Sequence, residues 1–138
     1  MSVATAERRR IDISQTTALL AVGDAAAILL FIVLGSGSHS YGPFDVVHIA
    51  GAFAPFLLGW LPVAAAAGLY ASDAPGTLVY SSVVTLLSWT VAVAIAQALR
   101  TTSVFPGGAA VAFAVVSVVV GGVLLTLWRV GATLALGD

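Results

Sequence analysis

Gln15-Thr16-Thr17-Ala18-Leu19-Leu20-Ala21-Val22-Gly23-Asp24-Ala25-Ala26-Ala27-Ile28-Leu29-Leu30-Phe31-Ile32-Val33-Leu34-Gly35-Ser36 is an apolar run with one charged residue, Asp24. At about 1.5 Å per residue a helix of this length reaches roughly 33 Å, enough to cross about 30 Å of hydrocarbon. Arg8-Arg9-Arg10 ahead of it has the charge pattern of a secretory leader. Leader cores, however, run to only about 7–15 residues, so the stretch reads as a first membrane span.

Three further runs follow the same rule, and the spans fall at about 15–36, 46–70, 78–100 and 108–135. Gly, Pro, Ser and Asp fill the connections, including Ser72-Asp73-Ala74-Pro75-Gly76 and Phe105-Pro106-Gly107-Gly108. Backbone polar groups must be paired inside lipid, and no alternating pattern for a barrel exists, so the spans are helices. The fold expected is all-α: an integral membrane four-helix bundle over residues 15–138, preceded by a basic segment over 1–14.

Composition agrees: the chain is 60% hydrophobic and 8% charged, with no Cys and a net charge of −1. A soluble domain carries about 25% charged residues. Without a basic face there is no case for nucleic acid, and without Cys there is none for disulfides or thiolate metal sites. All five basic residues are Arg: three lie before the first span, Arg129 lies near the end of the fourth, and Arg100 alone falls on the other side. Positive charge favours the inside, so both termini are expected in the cytoplasm of a multi-pass cell-membrane protein. Tyr70 and Tyr80 then flank the inner turn as interfacial rings.

Small and polar residues recur at helical spacing where packed faces are expected. They are Thr17, Ala21, Asp24, Ile28 and Gly35 in the first span, Ser81, Thr85, Ser88 and Ala92 in the third, and Ala110, Ser117, Gly121 and Ala135 in the fourth. The second carries Pro55, Gly59 and Pro62 instead, which predicts a kink.

Asp24 lies about 13 Å into its span. A carboxylate at that depth is costly, so it faces protein or water, either as glue between helices or as a proton or cation site. Arg129 reaches a similar depth and is positioned either to pair with Asp24 or to snorkel to the interface. Arg100 reads as an interface anchor. Ser88, with Ser81 and Thr85, reads either as the lining of a polar path or as hydroxyls bonded to their own helix. His39, Asp45 and His48 offer nitrogen and oxygen atoms at the outer mouth, where a cap and two interfacial histidines are the commoner arrangement, so no metal and no cofactor is assigned. No catalytic triad, phosphate loop or dinucleotide motif is present, and a non-enzyme is expected.

The order of several features resembles the membrane proteins grouped as domain of unknown function 3054. These are Asp24 followed by Phe31, Gly35 and His39; Pro55-Phe56 with Gly59-Trp60; Arg100 closing the third helix; and Gly107-Gly108, Phe113 and Trp128-Arg129. Ser36 and Ala54 stand where that family often has a basic residue and a tryptophan. The resemblance implies a small four-helix membrane protein and candidate site residues Asp24, His39, Trp60, Arg100, Trp128 and Arg129. The Ala-, Val- and Gly-rich, lysine-free composition suits a prokaryotic source. Two functions are expected of such a chain. One is transport or permeation of a small solute, proton or cation with Asp24 as the intramembrane site, in a homodimer. The alternative is a non-transporting module that binds lipid, pigment or a partner membrane subunit.

Overall fold

The computed structural model describes residues 14–37, 46–71, 77–105 and 109–136. Among them lie four long helices: α1 (Gln15–Gly37), α2 (Val46–Ala66), α3 (Leu78–Arg100) and α4 (Val111–Leu136). Their apolar spans of 21, 21, 23 and 26 residues are about 32–39 Å long at about 1.5 Å per residue. All four are long and apolar enough to cross a membrane, as a membrane protein requires. The basic segment before Ser14, His39, the Asp45 cap, the Ser72–Gly76 turn and the Pro106–Gly108 break lie outside the described residues.

Hydroxyl caps start two helices at one end of the bundle, here called proximal. Ser14 Oγ accepts the Thr17 N–H at 3.1 Å ahead of α1, and Thr77 Oγ1 accepts the Tyr80 N–H at 3.2 Å ahead of α3. Each satisfies a donor that the first helical turn leaves over. At the distal end of α3, Thr101 and Thr102 donate to the carbonyls of Ala98 and Leu99, both at 2.6 Å.

The expected second span, 46–70, is shorter in the structure. α2 runs through Pro55 and Pro62 as one helix but stops at Ala66. Gly68, at φ 88°, takes the left-handed conformation. Its N–H bonds Ala65 O at 3.2 Å, and the Leu69 N–H bonds Ala64 O at 3.0 Å. That pair of bonds is the Schellman ending, which favours Gly followed by an apolar residue. The chain turns back here, and Leu69, Tyr70 and Ala71 are buried. Tyr70 is therefore no interfacial ring as the sequence suggested, whereas Tyr80 is exposed.

The helices meet around aromatic rings from all four. Phe31 of α1, Phe56 and Trp60 of α2, Trp89 of α3 and Phe113 of α4 form a continuous cluster with centroids 5.4 to 6.2 Å apart. Edge and offset contacts of this kind contribute about 0.5–1.5 kcal/mol per pair. Close approach needs glycine at Gly59, where an added Cβ would lie 2.6 Å from the Ala92 carbonyl oxygen of α3. The expected stripe on α3 is buried at all four positions, Ser81, Thr85, Ser88 and Ala92. On α4 only its middle is buried, at Ser117 and Gly121, while Ala110 and Ala135 face outward.

α4 is not α-helical throughout. Between Val111–Val116 and Gly122–Leu136 it widens into a π-helix over Ser117–Gly121. Trp89 Nε1 donates to a carbonyl of this widened turn, Ser117 O, at 2.8 Å.

Candidate functional site

The π segment explains where Arg129 points. In an uninterrupted α-helix Arg129 would stand about 120° around the axis from Ser117, well off the packed stripe. A π turn advances roughly 80° per residue instead of about 100°, so five steps hold the rest of the helix back by about a quarter turn. Arg129 and Leu125 thereby share the face of Ser117 and Gly121, and all four are buried. Snorkelling, one of the two readings of Arg129, does not occur: the residue is 0% exposed.

Asp24, also 0% exposed, sits opposite on α1. Arg129 Nε donates to Asp24 Oδ1 at 2.9 Å and Nη2 donates to Oδ2 at 2.6 Å, a bidentate ion pair. The planar guanidinium matches the carboxylate in a way an ammonium cannot. Arg129 Nη1 donates to Leu69 O at 3.0 Å, and the guanidinium carbon lies 5.2 Å from the Tyr70 ring centre. Thr133 Oγ1 donates to the Arg129 carbonyl at 2.8 Å.

Two neutral donors complete the carboxylate's surroundings. Trp60 Nε1 donates to Asp24 Oδ2 at 3.2 Å and is shared with Tyr70 Oη at 3.0 Å, while the Tyr70 hydroxyl itself donates to Asp24 Oδ2. Tyr70 follows the end of the α2 span. Burial first, then the adjacent carboxylate, raises its phenol above its ordinary pKa of 10.0, so it keeps the proton it donates. The Schellman turn thus supplies both Leu69 O and the Tyr70 hydroxyl. Asp24 is joined to α2, to the turn after it and to α4, and Oδ2 alone accepts three donors.

The remaining sequence candidates are spread out. Trp128 packs against α1, where Gly23 leaves room for it: a Cβ there would fall 1.9 Å from the Trp128 ring. Arg100 closes α3 with its guanidinium carbon 4.9 Å from the Phe113 ring centre, at the distal end and away from Asp24. Ser88 is buried within the helix-three stripe. His48 is half-buried near the start of α2, and its expected companions His39 and Asp45 lie outside the described residues. Among the described residues no three His, Cys, Asp or Glu side chains are grouped to hold a metal.

Sequence reasoning missed Tyr70 and Leu69. The signal was present in Ala64-Ala65-Ala66-Ala67-Gly68-Leu69, a helix-forming run ended by glycine and an apolar residue. The π segment left a weaker trace, since the Ser117 and Gly121 stripe and the charge at Arg129 are out of phase on an α-helix.

A family model described as "Protein of unknown function (DUF3054)" matches residues 21–132, a span that contains Asp24, Trp60, Tyr70 and Arg129. No curated protein and no solved structure matches the chain.

Proposed function

Because this chain belongs to the DUF3054 family, whose description carries no activity, its role rests on its own site, and we propose that it is a non-transporting membrane module. In this reading Asp24 locks the bundle, and the protein works by associating with another membrane component, a lipid, pigment or partner subunit. The observation that carries the reading is the full engagement of Asp24 with Arg129, Trp60 and Tyr70.

A carrier that used Asp24 would have to release Arg129 from it in each cycle. Opening a buried pair costs about 3–5 kcal/mol, so the free carboxylate would be populated at only about 10⁻² to 10⁻⁴. The same engagement removes Asp24 as a general base, which supports a non-enzymatic role. About a third or fewer of the residues in the apolar stretch of each span are buried, so most of the lateral surface is available to lipid or a partner. A cell-membrane location with both termini in the cytoplasm belongs to the same proposal and rests on the Arg distribution.

The test is a flux measurement in proteoliposomes with a pH-sensitive dye and potassium, sodium and proton gradients. The purified chain is expected to give no flux above protein-free vesicles. Flux in the wild type that disappears in a folded Asp24→Asn variant would overturn the proposal in favour of transport.

A further inference from the structure

Among the described residues no α3 side chain hydrogen-bonds to the Asp24 network, although the other three helices and the 67–70 turn meet there. Yet α3 carries two fully buried hydroxyls, Ser81 Oγ and Thr85 Oγ1, neither of which has a protein partner among the described residues. Three other helical hydroxyls bond the carbonyl four residues back, Thr90 to Leu86 O at 2.8 Å, Ser117 to Phe113 O at 2.7 Å and Thr133 to Arg129 O at 2.8 Å, while Thr126 Oγ1 of α4 is also buried without a partner among the described residues. Ser81 and Thr85 do not use that outlet.

Their position follows from the helix register. Ala92 lies against Gly59 of α2, and Thr85 and Ser81, seven and eleven residues earlier, share its face. The same count of seven from Gly59 along the antiparallel neighbour leads to Ala66, the last residue of α2, after which Gly68 turns the chain. The two hydroxyls therefore stand one turn apart, level with the end of α2 and the start of the turn that follows it.

We propose that Ser81 and Thr85 form an internal water-binding site that ties α3 to the proximal end of α2 beside the Asp24 network. Buried water typically takes two to four polar partners that the protein leaves over, and two hydroxyls one turn apart supply them. Such a water adds to the Trp89–Ser117 bond a second polar tie for α3, at the end of the bundle where α1, α2 and α4 meet around Asp24. It is independent of the proposed function, since a resident water neither requires nor forbids transport.

Radiolytic hydroxyl footprinting of the full chain in detergent tests the site, because radicals formed from bound water oxidise side chains beside it. Tyr70 is expected to be oxidised in the wild type while Trp89, fully enclosed among rings, is spared. In a Ser81→Ala/Thr85→Val variant the oxidation of Tyr70 falls several-fold. Thr85→Val, which keeps the shape, lowers the thermal midpoint when a hydrated hydroxyl is lost, whereas removal of a dry, unpaired hydroxyl leaves it unchanged or raises it. A Tyr70 as silent as Trp89, or a midpoint unchanged or higher in Thr85→Val, overturns the proposal.

Discussion

Replacing Arg129 by Met removes the cation from a carboxylate that has no contact with solvent. Both side chains are 0% exposed, and the bonds lost are those at 2.9 and 2.6 Å to Asp24 and at 3.0 Å to Leu69 O. An uncompensated buried charge costs about 3–5 kcal/mol and the orphaned carbonyl about 1–3 kcal/mol, so about 4–8 kcal/mol is expected for Arg129→Met. Asp24→Leu strands the guanidinium instead and costs about 3–5 kcal/mol. The double variant Asp24→Leu/Arg129→Met removes both charges together and leaves only neutral groups to rearrange, at about 1–3 kcal/mol. The assay is reversible unfolding in mixed micelles with increasing sodium dodecyl sulfate, followed by tryptophan fluorescence. A coupling of at least about 3 kcal/mol is expected between the two positions. Effects that add to within about 0.5 kcal/mol would refute the clamp, because residues that do not interact behave that way.

Gly59→Ala sets a new Cβ 2.6 Å from a backbone oxygen of α3, which cannot rotate away; unfolding should show a loss of about 1–3 kcal/mol, while Gly35→Ala, with nothing within 4 Å of the added atom, should be nearly silent by the same assay. Tyr70 has a folded pKa raised above its ordinary 10.0, so its contribution is fully present below that pH and is lost as pH rises beyond it. Unfolding free energy should accordingly decline above pH 10, and Tyr70→Phe should be less stable at neutral pH and lack that decline; an identical alkaline slope in the variant would contradict the assignment.

How the fold could be read from the residues follows from the energetics of each feature. Span length and the scarcity of charge act on every residue at once, so α1 and α3 fall within a residue or two of their expected bounds. The end of α2 depends on one residue, Gly68, whose left-handed φ folds Leu69 and Tyr70 inward, and hydropathy is blind to it because Leu69 and Tyr70 continue an apolar run. The depth of Asp24 and Arg129 was countable at 1.5 Å per residue, and it left pairing open alongside snorkelling. Facing was not countable, because it changes by about a quarter turn where Ser117–Gly121 widens. Trp60 stood out as a tryptophan beside Gly59, yet its role as a donor to Asp24 follows only from the packing of α1 on α2. Arg100 stands at the other end of the bundle from the carboxylate, the side on which the sequence reads it as an interface anchor but away from the site the family resemblance suggests for it, and His39 lies outside the described residues.

The pairing of Asp24 with Arg129 inside a lipid bilayer is the point on which the proposed role turns. Solid-state NMR on the full chain in liposomes, with ¹³C in the Asp24 carboxyl and ¹⁵N in the Arg129 guanidinium, measures it without a variant. A strong dipolar contact is expected, in keeping with Nε and Nη2 donating to the two carboxylate oxygens at 2.9 and 2.6 Å. No detectable coupling between the labelled groups would contradict a clamped carboxylate and return Asp24 to the status of an open intramembrane site.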